Sequence, residues 1–288
     1  MPVAGQDLKR AAAALRVELR RRVAGAQDGV PTFFDNFLRG LLDDLEATQG
    51  RHRWDIAPRE GEPALGTLRW LAAYVARRAQ GRFVSWTERA QAAGPDSDVP
   101  LPVLIMSQGA PECLMWKGRP LFKTAFDAAL VPMLLWELRP ATIFEIGAGL
   151  GTSALWMAEI LRGQDNRAMV HALDLRALAS EDSQVRFHRG DCRDPARLFP
   201  DALLAEAPHP WLVIEDAHVN VAAVLTRMDR FMHAGDYLIV EDSLPKRDVL
   251  AAFLATCPAY RVDTRYTDYF GRNATAAADA ILRRMEDS

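Results

Sequence analysis

The 288-residue sequence predicts an α/β fold, a parallel sheet with helices on both faces, preceded by a helical N-terminal extension. Three observations carry this expectation. From Ala141 onward, short and nearly continuous apolar runs alternate with helical stretches, the pattern of strands buried on both faces. The first of those runs passes into a loop with glycines at 147, 149 and 151. Before about residue 110, apolar residues recur instead at helical spacing.

Taken in order, Ala11–Val23 places Leu15, Leu19 and Val23 on one helical face, and Phe33–Leu45 and Leu65–Ala79 read as two more amphipathic helices. Gly50–Pro63 and Gly94–Pro102 are polar or proline-rich and read as loops. The expected strands are Thr142–Ile146, Met169–Leu173, Val185–His188, Trp211–Ile214 and Tyr237–Val240. Between and after them, helices are expected over Thr152–Leu161, Pro195–Leu204, Val219–His233 and Lys246–Ala255. Tyr260–Tyr266 and Ala277–Arg283 read as two further strands.

Composition narrows the class. Hydrophobic residues make up 49% and charged residues 25%, as in a soluble protein with a sizeable core. A net charge of −3 offers no excess of cations to neutralise a phosphate backbone, so no nucleic-acid partner is expected. Cys113, Cys192 and Cys257 lie far apart and form neither a disulfide framework nor a CxxC metal site. No apolar stretch approaches the ~20 residues that span a bilayer, so no membrane association and a cytoplasmic location are expected.

The glycine loop follows a strand and opens a helix at Thr152-Ser153, where backbone N–H groups and the helix dipole favour an anionic ligand group. Its spacing differs from the dinucleotide GxGxxG pattern, because the third glycine comes one residue early and Glu145 ends the strand. The run Glu145-Ile146-Gly147-Ala148-Gly149-Leu150-Gly151 resembles the first motif of class I S-adenosylmethionine-dependent methyltransferases. Asp174 at the end of the second strand could accept both ribose hydroxyls. Gly190-Asp191-Cys192 ends the third, where an acid can take the adenine amino group. Successive strand ends are where open α/β sheets hold ligands.

The fourth strand ends in Glu215-Asp216-Ala217-His218 and the fifth in Glu241-Asp242-Ser243. Neighbouring parallel strands would bring these carboxylates together, a charge density that calls for a cation. Oxygen ligands without a thiolate suit Mg²⁺ or Mn²⁺ better than Zn²⁺.

Gly190–Asp194, Ile214–Asn220 and Gly235–Asp242, with Lys123–Asp127 and Tyr269–Asn273 at their flanks, resemble the cephalosporin hydroxylase family over about Lys117 to Arg284. Despite its name, that family is built on a Rossmann-like class I methyltransferase sheet and binds S-adenosylmethionine and Mg²⁺. The resemblance implies a closing antiparallel strand pair at the C-terminus and an oligomer. It also implies metal carboxylates at Glu241 and Asp242 and at a strand-four position where Glu215 stands in place of Asp. Asp216 follows directly, and register favours Glu215 as the ligand.

The expected activity is therefore metal-assisted O-methylation of a hydroxylated small molecule, a secondary metabolite or sugar, with His218 accepting the proton. Cofactor contacts are expected from Lys123, Glu145, Gly147, Gly149, Gly151, Thr152, Ser153, Asp174, Asp191 and Cys192. Tyr266, Tyr269 and Phe270 are candidates for lining the acceptor pocket. Residues 1–110 would form an oligomerisation or substrate-covering region, and residues 111–288 the cofactor-binding domain. Two other readings compete. One is a non-catalytic cofactor-binding subunit, which Glu215 keeps open. The other is a hydroxylase, although a non-haem iron site wants two histidines and only His218 lies in these motifs.

Overall fold

The computed structural model describes residues 81–286, apart from 94, 95, 110 and 111, together with scattered positions before residue 50. The helices expected over the first 80 residues fall almost wholly outside the described residues. Met1–Gly81 and Arg82–Ser288 form two compact units, and the second holds the sheet.

The main sheet has eight strands in the order β1-β9-β10-β8-β7-β4-β5-β6. Five are parallel and coincide with the five apolar runs: β4 (Thr142–Ile146), β5 (Met169–Asp174), β6 (Val185–Arg189), β7 (Trp211–Glu215) and β8 (Tyr237–Val240). Register aligns Ile146 with Leu173 on one side and Glu215 on the other, and Glu215 with Val240. All the parallel strands thus end on one edge. β9 (Tyr260–Asp263) and β10 (Ile281–Arg284) close the sheet as the expected antiparallel pair.

β4, β7 and β8 are buried along their whole length, because helices cover both faces. On one face Phe144 meets Trp211 edge-on at 4.7 Å and Phe199 at 5.0 Å. α4 (Thr152–Gly163) buries Ala154, Trp156, Met157, Ala158 and Leu161. α3 (Ala125–Leu138), which the sequence reading omitted, is capped by Thr124, whose hydroxyl accepts from Asp127 N.

Several expected boundaries move, each for a local reason. The helix expected over Pro195–Leu204 splits into a 3₁₀ turn at Pro195–Arg197 and α5 (Asp201–Glu206), with Pro200 at the break. α6 (Val221–Asp229) starts two residues late because His218 and Asn220 are left-handed. β9 stops at Asp263, whose side chain accepts from Arg265 N and caps the short helix α8 (Thr264–Thr267). α7 (Arg247–Thr256) lies within a residue of expectation.

The segment ahead of α3 contributes more than the sequence suggested. β1 (Phe83–Val84) adds an edge strand on β9 and leads into α1 (Trp86–Ala93). Arg89 of α1 is buried and bonds Asp268 at 2.7 and 2.9 Å, Asp279 at 2.7 Å and Asn273 at 3.0 Å. It pins the C-terminal loop to the sheet. Where a loop was expected to run on to Pro102, α2 (Leu101–Met106) begins, with Pro102 in its first turn. A small hairpin, β2 (Met115–Trp116) and β3 (Arg119–Pro120), precedes α3.

Candidate active site

The glycine loop leaves β4 with Gly147, Gly149 and Gly151 all at positive φ, +97°, +57° and +75°. A Cβ at Gly147 would lie 2.6 Å from the backbone of Asp216 and Ala217, so the loop and the strand-seven acidic segment share a wall. A Cβ at Gly149 would meet nothing within 4 Å, leaving that position open towards a ligand.

Glu145, under this loop, is fully buried. Both of its carboxylate oxygens lack a hydrogen-bond partner of good geometry, with Ser153 alongside. Burial pushes its pKa up to about 7, only partly offset by Lys123. A buried carboxylate so weakly bonded could hold a ligand donor, and an ammonium is the fitting partner.

Asp174 and Asp191 occupy the expected strand ends, each bound to an arginine two residues on. Asp174 accepts from Gly149 N at 2.9 Å, Arg176 N at 3.0 Å and Arg176 Nε at 3.2 Å. Arg176 also reaches back to the Gly149 carbonyl. Asp191 accepts from Arg193 N at 2.9 Å and from its guanidinium at 3.0 and 3.1 Å. Cys192 is buried, and burial raises its thiol pKa to about 11, so it serves as a wall. Its carbonyl accepts from Asn220 Nδ2 at 3.0 Å, tying the exits of β6 and β7 together.

The ends of β7 and β8 carry the acidic cluster, arranged differently from the sequence expectation. Glu215, favoured by register as a metal ligand, turns towards Lys246. Its Oε2 accepts from that ammonium at 2.7 Å, and its Oε1 accepts from Ala217 N at 3.1 Å and His218 N at 3.0 Å. Glu241 accepts from Lys123 at 2.7 Å, and the same ammonium lies 3.3 Å from Asp216. Lys123, expected among the cofactor contacts, is closed on protein carboxylates here. The physical reason is charge: two buried acids on adjacent strands need cations, and the chain supplies two lysines.

Asp216, His218 and Asp242 come together instead. One ligand atom from each lies within 4.8 Å of the others. His218 Nε2 is 3.5 Å from Asp216 and 3.6 Å from Asp242. The hydrogen bond to Asp216 raises the His218 pKa. Burial alone would raise Asp216, but Lys123 and His218 outweigh it and hold the carboxyl below its ordinary value. His218, Asn220 and Asp242 are all left-handed without being glycine, a local strain of the sort that collects at functional sites. The three side chains, with Gln108, Phe122, Lys123, Thr124, Glu241 and Ala276, surround a cavity of about 170 Å³.

Of the aromatic candidates, Tyr266 is buried and donates to Glu137 at 2.7 Å, away from the cluster. Phe270 stays partly exposed, between Phe126 at 5.7 Å and Tyr269 at 5.0 Å. The sequence reading missed Lys246 and Arg176. The one available signal for Lys246 was a lysine at the opening of a helix, where the dipole disfavours a cation.

Strand order and glycine loop together define a class I methyltransferase. The model of the Rhamnosyl O-methyltransferase/CmcI family matches residues 110–285, and the chain belongs to this family of S-adenosylmethionine-dependent methyltransferases. It is 33% identical over 133 residues to the rhamnosyl O-methyltransferases of Mycobacterium tuberculosis (strain ATCC 25618 / H37Rv) and Mycobacterium bovis (strain BCG / Pasteur 1173P2). That match takes in 42% of this chain and 54% of those proteins, so the chain spans about half the length of the curated relatives it matches. A CmcI structure with Mg and SAM aligns at 25% identity and TM-score 0.52, over 79% of this chain and 98% of that one. A CmcI apo-structure aligns at 24% and 0.54, over 73% and 99%, and shares the fold. Among the described residues, no helix is long and apolar enough to cross a membrane.

Proposed function

We propose that this chain transfers a methyl group from S-adenosylmethionine to a hydroxyl of a small-molecule acceptor, a sugar or secondary metabolite. The observation that carries the reading is the shared wall at Gly147. The open glycine loop and the Asp216–His218–Asp242 cluster adjoin, so a methyl donor and a hydroxyl acceptor would meet between them.

When bound, the cofactor supplies a methyl group already activated as a sulfonium. The protein's own contribution is positioning within about 3–3.5 Å and removal of the hydroxyl proton. Glu145 takes the ammonium of the cofactor's amino acid end, and Gly147, Gly149 and Gly151, with Thr152 and Ser153, shape its cradle. Asp174 would hold the ribose hydroxyls in exchange for Arg176, and Asp191 with Cys192 would border the adenine.

Asp216 and Asp242 fit a divalent cation, Mg²⁺ or Mn²⁺, because both are reachable from the cavity: Asp216 meets Lys123 through Oδ2 at 3.3 Å and turns Oδ1 towards His218, and Asp242 lies 3.6 Å from the same imidazole. Such an ion would orient the acceptor hydroxyl and lower its pKa. His218, beside both carboxylates, would accept the hydroxyl proton that methyl transfer releases. Within this reading, residues 1–110 assemble copies of the chain or cover the acceptor. A single monomeric species in ultracentrifugation at micromolar concentration would remove the first role.

The test is turnover of hydroxylated acceptors, rhamnosides among them, with labelled S-adenosylmethionine, with and without chelator. The expected outcome is a methylated product that needs Mg²⁺ or Mn²⁺ and is lost in His218→Ala. Binding of S-adenosylhomocysteine without methylation of any acceptor would favour the accessory-subunit reading that Glu215 prompted.

A further inference from the structure

We propose that Lys246 is a built-in cation that takes the place of a metal ion at the strand-seven carboxylate Glu215, so that a divalent ion is held one residue on, at Asp216 with Asp242. The inference rests on the methyltransferase reading above and concerns where in that site the positive charge comes from.

Lys246 is almost fully buried, yet its ammonium has defined partners: Glu215 Oε2 at 2.7 Å and the Glu241 carbonyl at 2.6 Å. It therefore bridges the ends of β7 and β8, which a metal ion between those strands would otherwise join. The remaining Glu215 oxygen accepts from two backbone N–H groups, so both oxygens of this carboxylate are already engaged. A dication at Glu215 would have to displace the ammonium or stand against it at close range, and both are unfavourable in a buried setting.

The placement of Lys246 argues the same way. It stands at the N-cap of α7, where the helix dipole disfavours a cation. An ammonium at that end is tolerated because Glu215 answers it. Glu215 is in turn one methylene longer than the aspartate the family resemblance expects there, and that length lets its carboxylate turn to the lysine. Asp216, the next residue, leaves the strand on the other side; its Oδ2 meets Lys123 at the longer distance of 3.3 Å, and its Oδ1 faces His218 in the group with Asp242. Glutamate at 215, aspartate at 216 and lysine at 246 thus act as one set.

The experiment is direct binding of Mn²⁺ alone, followed by electron paramagnetic resonance and by the Mn²⁺-induced shift in Tm, so that no acceptor or turnover is needed. Asp216→Asn and Asp242→Asn should each weaken Mn²⁺ at least 10-fold, while Glu215→Gln changes it less than 2-fold. Lys246→Met should gain a Mn²⁺ response, with tighter binding or a Tm restored by the ion, and Lys246→Met/Glu215→Gln should lose that gain. The proposal is overturned if Glu215→Gln weakens Mn²⁺ as much as Asp242→Asn does, or if Lys246→Met keeps the native Tm and Mn²⁺ response. If native protein binds no Mn²⁺, the metal half of the functional reading fails, and the Lys246→Met arm still decides the lysine's role. If Lys246→Met does not fold, the double variant decides. Folding of that neutral pair without Mn²⁺ supports Lys246 as the counter-cation, and its failure to fold refutes it.

Discussion

The carboxyl edge of the sheet has two halves that treat acidic side chains in opposite ways. At the ends of β5 and β6, Asp174 and Asp191 are each held by an arginine two residues on, while Glu145 at β4 is buried with no hydrogen bond of good geometry, Ser153 lying alongside. At the ends of β7 and β8, Glu215 and Glu241 are buried too, but each meets a lysine from a distant segment. The first half holds one weakly bonded acid and two whose partners are a neighbouring arginine and nearby backbone N–H groups. The second half is largely satisfied internally, and the cavity beside its Lys123–Glu241 pair is also lined by Asp216, His218 and Asp242. Clustered carboxylates do not by themselves demand a metal ion, because lysines can meet the same charge.

The largest effect should come from breaking the internally satisfied half. Lys123→Met leaves Glu241 buried without a cation, which costs about 3–5 kcal/mol. Urea denaturation should show it, whereas Asp191→Asn, on the exposed side of the other half, should leave Tm unchanged. Equal losses from the two variants would remove the distinction.

Glu145→Gln should act in the opposite direction. The folded pKa of Glu145 is raised to about 7 from 4.5, so the folded state holds the extra proton between those values. That contribution is fully present below pH 4.5 and is lost as pH rises through 7. The unliganded protein should therefore lose on the order of 3 kcal/mol across this window from Glu145, an upper bound at this burial. Glu145→Gln should flatten that slope, raise Tm at pH 8 and weaken S-adenosylhomocysteine. A pH-independent difference in Tm between the two proteins would show that Glu145 has a donor of its own.

Smaller effects should mark the ligand contacts. Asp174→Ala removes a charged acceptor and should weaken S-adenosylhomocysteine by about 1.5–3 kcal/mol, read by calorimetry. Its stability should change less than its affinity if the arginine is only a placeholder. Gly149→Ala has room for its methyl group and pays only for the left-handed backbone, about 1 kcal/mol in Tm-derived stability. A much larger loss would mean the loop is packed rather than open.

The five parallel strands, the glycine loop and the positions of Glu145, Asp174, Asp191, His218 and Asp242 were legible in the sequence. Each is written locally: an apolar run long enough for a buried strand, a glycine where the backbone turns left-handed, an acid at a strand end. Which carboxylate faces the cavity was not legible, although Glu215 and Asp216 are adjacent and register alone favoured the former. That choice depended on Lys246, 31 residues downstream of Glu215 and brought to it only in the folded chain, where α7 packs against α6. The pairing of Lys123 with Glu241, across 118 residues, and the anchoring of the C-terminal loop by Arg89 were hidden for the same reason. Local patterning determines where strands end and which residues stand there, because backbone geometry is set by near neighbours. The partner that neutralises a buried charge is chosen by tertiary proximity, which no spacing along the chain encodes.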